Sequence, residues 1–176
     1  FVIDKDEIEK YIDDSINNRK IMGLDWGVPL LDQHFKFKYG SFNVINGHQN
    51  VGKSTILWYV AAVSARKLGL KWIIYSPENR AGYISRKIME FYVGKVLSKM
   101  TKEERRWALD MMYENFVIIG DKEYFSYAEI IKAAEKTLTL RHFDAILIDP
   151  YNALKIEVGE YRALGGHEYH YQAASL

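Results

Sequence analysis

Short uninterrupted apolar runs recur along this chain, separated by longer stretches with helical spacing. The runs at 41–45, 71–76, 116–119 and 143–149 predict buried strands. Between the first two, residues 55–68 carry Ile56, Leu57, Tyr59, Val60, Val63 and Ala65, which predicts a broadly buried helix. Arg66, Lys67 and Gly69 give it a cationic last turn and a glycine stop. Residues 81–98 repeat the helical pattern through Ile84, Ile88, Phe91, Tyr92 and Val96. Thr101 with Glu104, and Ser126 with Glu129, are capping boxes that start two further helices. The first runs to about residue 115, and the second carries Ile130, Ile131, Ala134 and Leu138. Strands alternating with helices predict an α/β fold, a parallel sheet with helices on both faces.

Residues 4–20 predict one more helix ahead of this core. Ile8, Tyr11, Ile12, Ser15 and Ile16 form its apolar stripe, and Asp4 with Glu7 resembles a capping box. Residues 23–29 break the pattern. The stripe needs a surface, either on its own core or on a neighbouring subunit.

Between the first strand run and its helix stands Gly47-His48-Gln49-Asn50-Val51-Gly52-Lys53-Ser54, followed by Thr55. This is the phosphate-loop pattern G-x-x-x-x-G-K-[ST], known as Walker A. Its glycines let the backbone wrap a polyphosphate with N–H groups pointing inward. Lys53 supplies a positive charge for the terminal phosphates, and the Ser54 hydroxyl can hold Mg²⁺. The helix that follows adds the positive end of its dipole. A nucleoside polyphosphate with Mg²⁺ is therefore the expected ligand.

Composition narrows the setting. A chain of 176 residues suits one domain, and no run of eighteen apolar residues predicts a membrane span. The lack of cysteine excludes disulfides and thiolate metal sites, and it accords with a cytoplasmic location. A net charge of +1 gives no bulk nucleic-acid signal, so any such contact must be local. The chain begins at Phe1, which reads as an excerpt of a longer one.

Two acids stand where strands end. Ala145-Ile146-Leu147-Ile148-Asp149 is a Walker B pattern, about a hundred residues after Walker A. Its strand delivers Asp149 to the C-terminal edge, where ligands bind in open α/β sheets. There Asp149 can accept from a Mg²⁺-bound water or from Ser54. Asp144 precedes the apolar run and reads as a residue at the strand's start. Glu78 follows the second strand directly. By position it is either a base that activates water or an exposed turn acid.

These residues resemble the RecA-fold ATPase domain of DnaB-type replicative helicases. The similarity runs from Gly27 to about Leu176. It rests on Gly27-Val28-Pro29 with Leu31-Asp32, Tyr39-Gly40, Tyr75-Ser76-Pro77-Glu78, and Ile148-Asp149-Pro150-Tyr151-Asn152-Ala153-Leu154. Pro77 departs from the family's common residue. The resemblance implies Glu78 and Lys53 as catalytic groups, and residues 47–55 as the nucleotide site. It places Ser54 and Asp149 on the metal. It also implies an ATP-driven DNA helicase that translocates on single-stranded DNA as a hexameric ring. Residues 1–22 then stand where the family has a linker helix docking on the next subunit, and residues 23–176 form the ATPase domain. The family's further strands, sensor residue and arginine finger have no counterpart placed here, so the domain reads as incomplete, weak in binding and slow in hydrolysis.

After the Walker B strand, residues 155–166 read as a loop. Lys155, Arg162 and the Gly165-Gly166 pair suit phosphate contacts with single-stranded DNA, and a plain surface loop fits equally. His167 and His170 suit a solvated helix start better than a metal site. Tyr169 and Tyr171 fit either a core or a stacking role. A RecA-like recombinase, another DNA-dependent ATPase and a nucleotide-binding loader that does not turn over are the competing readings.

Overall fold

A computed structural model describes residues 5–16, 23, 25–119 and 125–154. Within helices, the side chains of Glu7, Ser15 and Asn152 are outside the description. The chain divides into two compact units, Phe1–Val51 and Gly52–Leu176.

The first unit contains α1 (Lys5–Ile16) and the single turn α2 (Pro29–Asp32). Pro29 opens α2, where its missing N–H costs nothing. The Trp26 N–H donates to Asp32 Oδ1 across this turn at 2.5 Å. Trp26 stacks on Phe35 and meets the edge of Phe37, with ring centroids 5.6 and 5.1 Å apart. The GVP-LD sequence thus closes a small aromatic knot. The apolar stripe of α1 is exposed: Ile8 44%, Tyr11 63%, Ile12 48% and Ile16 74%.

Here the structure corrects one expectation. Residues 41–48 carry no regular secondary structure, and Phe42, Val44 and Ile45 are exposed. An apolar run becomes a strand only where a neighbouring edge supplies its hydrogen bonds. The sheet pairs three other strands, and none of its ladders includes residues 41–45.

The second unit holds that sheet. Its strands are β1 (Trp72–Tyr75), β2 (Phe116–Ile119) and β3 (Ala145–Ile148). They are all parallel, in the order β2-β1-β3. The central strand is buried at all four residues, as a solid Trp-Ile-Ile-Tyr run requires. Its side chains alternate between faces. Trp72 Nε1 donates to Ser64 Oγ of α3 (Lys53–Leu68) at 3.1 Å on one face. Ile73 and Tyr75 pack against Ala134 and Ile130 of α6 (Tyr127–Leu138) on the other. The fold is therefore an open parallel α/β sheet covered on both faces, of the RecA-like type.

Local signals set the helix bounds. Gly69 ends α3 in the left-handed conformation at φ 69°. The helix expected over 81–98 stops earlier, as α4 (Ala81–Val93), because Gly94 takes φ 78° and caps it. A short 3₁₀ turn, Leu97–Lys99, leads to α5 (Lys102–Asn115). Both capping boxes form as expected, at Thr101/Glu104 and Ser126/Glu129. Hydrogen bonds from Lys95 and from the Thr101 N–H hold the Glu104 carboxyl below its ordinary range. The cap expected at Asp4 and Glu7 lies outside the described residues. No helix among the described residues is long and apolar enough to cross a membrane.

Candidate functional site

The second half of the Walker A loop opens α3. Gly52 is its N-cap, at φ 93°, a left-handed conformation that a side chain would strain. No side chain caps the helix. The start of a helix carries the positive end of its dipole, which favours an anion there. Lys53 and Ser54 stand in that turn and are half-buried, and Thr55 is exposed.

The connection from α3 to β1 fixes where this turn lies. Only Gly69, Leu70 and Lys71 separate them, so α3 runs back along the sheet. The Trp72–Ser64 hydrogen bond pins the last turns of α3 to the start of β1. A 16-residue helix rises about 24 Å, against about 13 Å for a four-residue strand. The first turn of α3 therefore lies beyond the C-terminal edge of the sheet.

The same edge receives both acids. In the β1–β3 ladder Tyr75 pairs with Ile148, and the Asp149 N–H donates to Tyr75 O at 3.0 Å. Asp149 thus leaves β3 level with the exit of β1, and Glu78 follows three residues after Tyr75 on an exposed turn. Asp149 is 6% exposed, and its Oδ2 is buried with no hydrogen-bond partner among the described residues. A buried carboxylate oxygen without a partner costs free energy that a bound cation or donor would offset.

Asp144 has a different place. It accepts from the Lys71 N–H through Oδ2 at 2.8 Å, and its Oδ1 lies 2.9 Å from His142 Nε2. It ties β3 to β1 at the N-terminal edge, as the strand-start reading anticipates. The two acids flanking one apolar run thus separate to opposite edges.

Gly47, His48, Gln49, Asn50 and Val51 belong to the first unit and are exposed. Asn50 takes φ 60°. The Gly47 N–H donates to Asn46 Oδ1 at 2.8 Å, and Asn46, Gly47 and His48 line a cavity of about 340 Å³. Residues 155–176, with Lys155, Arg162, the glycine pair, His167, Tyr169, His170 and Tyr171, lie outside the described residues. No group of three or more potential metal-ligating His, Asp or Glu occurs among the described residues.

Sequence reading passed over one feature of this edge. Asn79 Nδ2 donates to Ser76 Oγ at 3.1 Å, closing the turn that carries Glu78. Ser, Pro and Asn within four residues are turn formers, and that signal pointed to the loop.

No family model matches the chain. It is similar to the Twinkle homolog protein, chloroplastic/mitochondrial, of Arabidopsis thaliana. The two are 25% identical over 163 residues, covering 85% of this chain and 22% of that protein. The chain therefore spans about a fifth of its relative's length. The match supports a distant relation to the helicase family.

Proposed function

We propose that this chain binds Mg²⁺-ATP at the C-terminal sheet edge and is the ATPase portion of a helicase-type motor. The observation that carries this is the buried Oδ2 of Asp149, without a partner among the described residues and level with the strand exit that leads to Glu78. The uncapped first turn of α3, bearing Lys53 and Ser54, extends past the same edge.

The residue roles follow from charge and position. The start of α3, with the positive end of its dipole, takes the phosphates. The Lys53 ammonium neutralises charge on the terminal phosphates. Ser54 and Asp149 are the groups that would hold Mg²⁺, which would supply positive charge against that of the phosphates. The Glu78 carboxylate, exposed on its turn, takes a proton from the attacking water. Coupling of this cycle to movement on single-stranded DNA belongs to the same reading and draws on the distant helicase relation, with residues 155–166 as the DNA-contacting segment.

The metal role is tested by Asp149→Asn. The substitution keeps the size of the side chain and removes its charge, so the metal-free protein should keep a melting temperature near that of the parent. Stabilisation by Mg²⁺-nucleotide should be lost, since only ligand bound to the native state raises the melting point. Thermal melts with and without Mg²⁺-ADP read both. If the variant is stabilised as strongly as the parent, Asp149 does not bear on the metal.

The exposed stripe of α1 supports assembly. Ile8, Tyr11, Ile12 and Ile16 lie on one side of a short helix and are 44–74% exposed. We propose that this stripe docks on another copy of the chain in a ring, a hexamer by the helicase reading. Burying such side chains contributes on the order of 1.5–3 kcal/mol each before ordering costs. Ile8→Asp with Ile12→Asp should shift a self-associating protein that carries this chain to a lower mass. Multi-angle light scattering reads the mass. An unchanged oligomer would place the stripe elsewhere.

A further inference from the structure

We infer that Ser76 and Asn79 form a bracket that positions Glu78 at the sheet edge. The inference deepens the role proposed for Glu78 above and rests on it.

The bracket begins at the strand exit. Ser76 is the first residue after β1 and is 1% exposed, so its hydroxyl is held inside the fold. Backbone pairing holds the residue before it, through the bond from the Asp149 N–H to Tyr75 O. Asn79 closes the turn from the other side, its amide donating to Ser76 Oγ at 3.1 Å. Pro77 lies between them with a fixed φ and no N–H to seek a partner. One residue beyond Asn79, Arg80 is the N-cap of α4, and its carbonyl accepts from the N–H groups of Tyr83 and Ile84. Glu78 is therefore the exposed member of a turn anchored on both sides.

The consequence is chemical. A general base must hold its carboxylate within hydrogen-bond reach of the water it deprotonates. An exposed glutamate on a free turn would spread over several backbone positions and lose that alignment. Misplacement by about 1 Å can lower a rate about 10²-fold. Ser76 and Asn79 do not need to touch the nucleotide to matter. They are positioning residues, and their removal should lower kcat while leaving KM for ATP and the melting temperature near those of the parent.

The test compares Asn79→Ala, Ser76→Ala and Ser76→Thr, with Glu78→Gln as a control, in this chain. Two measurements are made on each: backbone ¹⁵N order parameters at residue 78, and steady-state hydrolysis of Mg²⁺-ATP. With the bracket removed, the order parameter of Glu78 should fall from about 0.85 to below about 0.6. The rate kcat should drop at least about tenfold with KM within about twofold. Ser76→Thr keeps a hydroxyl and should restore both. An unchanged order parameter in Asn79→Ala overturns the bracket. So does a kcat loss that tracks a rise in KM or a fall in melting temperature. The underlying reading fails separately, when Glu78→Gln hydrolyses ATP at the parent rate. The order parameters decide the bracket whatever the hydrolysis rate.

Discussion

Glu78→Gln should lower ATP turnover by about 10²-fold or more while nucleotide affinity stays within about twofold. The substitution keeps the size and reach of the side chain and removes only its capacity to take a proton. Glu78 is exposed, so the change leaves no buried group unpaired and should not move the melting temperature. The effect falls on chemistry because the carboxylate is needed when water attacks the terminal phosphate, and the resting nucleotide does not require it. Single-turnover hydrolysis with radiolabelled ATP, beside equilibrium binding of a fluorescent ADP, separates the two quantities. Parent-like turnover in the variant would make Glu78 an ordinary turn acid. A parallel loss of binding would move its role to holding the nucleotide.

Lys53→Ala should weaken binding of Mg²⁺-nucleotide by about 10²-fold. A hydrogen bond to a charged group is worth about 1.5–3 kcal/mol, and each 1.4 kcal/mol is tenfold in affinity. Lys53 is the first residue of α3, immediately after the left-handed Gly52, so a terminal phosphate there would meet its ammonium and the positive end of the helix dipole together. Alanine is a good helix former, so α3 itself should persist. Circular dichroism checks that the helix survives, and titration with a fluorescent nucleotide measures the loss. Equal affinity in parent and variant would show that the G-x-x-x-x-G-K-S sequence does not serve as a phosphate loop in this protein.

Periodicity and caps made most of the second unit legible. The strands β1, β2 and β3 fall within the apolar runs, yet only β1 is buried at all four residues; β2 is buried at Phe116 and β3 at Leu147, and Ile146 is exposed. The starts of α5 and α6 were written in their capping boxes, because the hydrogen bonds that begin a helix lie within four residues of one another. The end of α4 was misplaced. Val96 continues the apolar spacing past Gly94, yet left-handed glycine backbone stops the helix first. The run at 41–45 has the composition of a strand and does not form one. Composition states that a segment can sit in a sheet, whereas pairing is decided by a partner edge far away in the chain.

The sequence by itself determined which residues carry candidate chemistry: the glycine-lysine-serine loop, Glu78 and Asp149. Each is a local pattern, a few residues long, whose meaning comes from residue type and spacing. Only the tertiary structure decided how those after Gly52 share one edge. It set Asp149 level with the exit of β1, left its Oδ2 buried without a partner among the described residues, and sent Asp144 to the opposite edge. It also joined Asn79 to a serine that the sheet had already buried. The reason is distance along the chain. Spacing and caps act over one or two helical turns, while strand register joins residues more than seventy positions apart. That register is settled by burial of the whole sheet face.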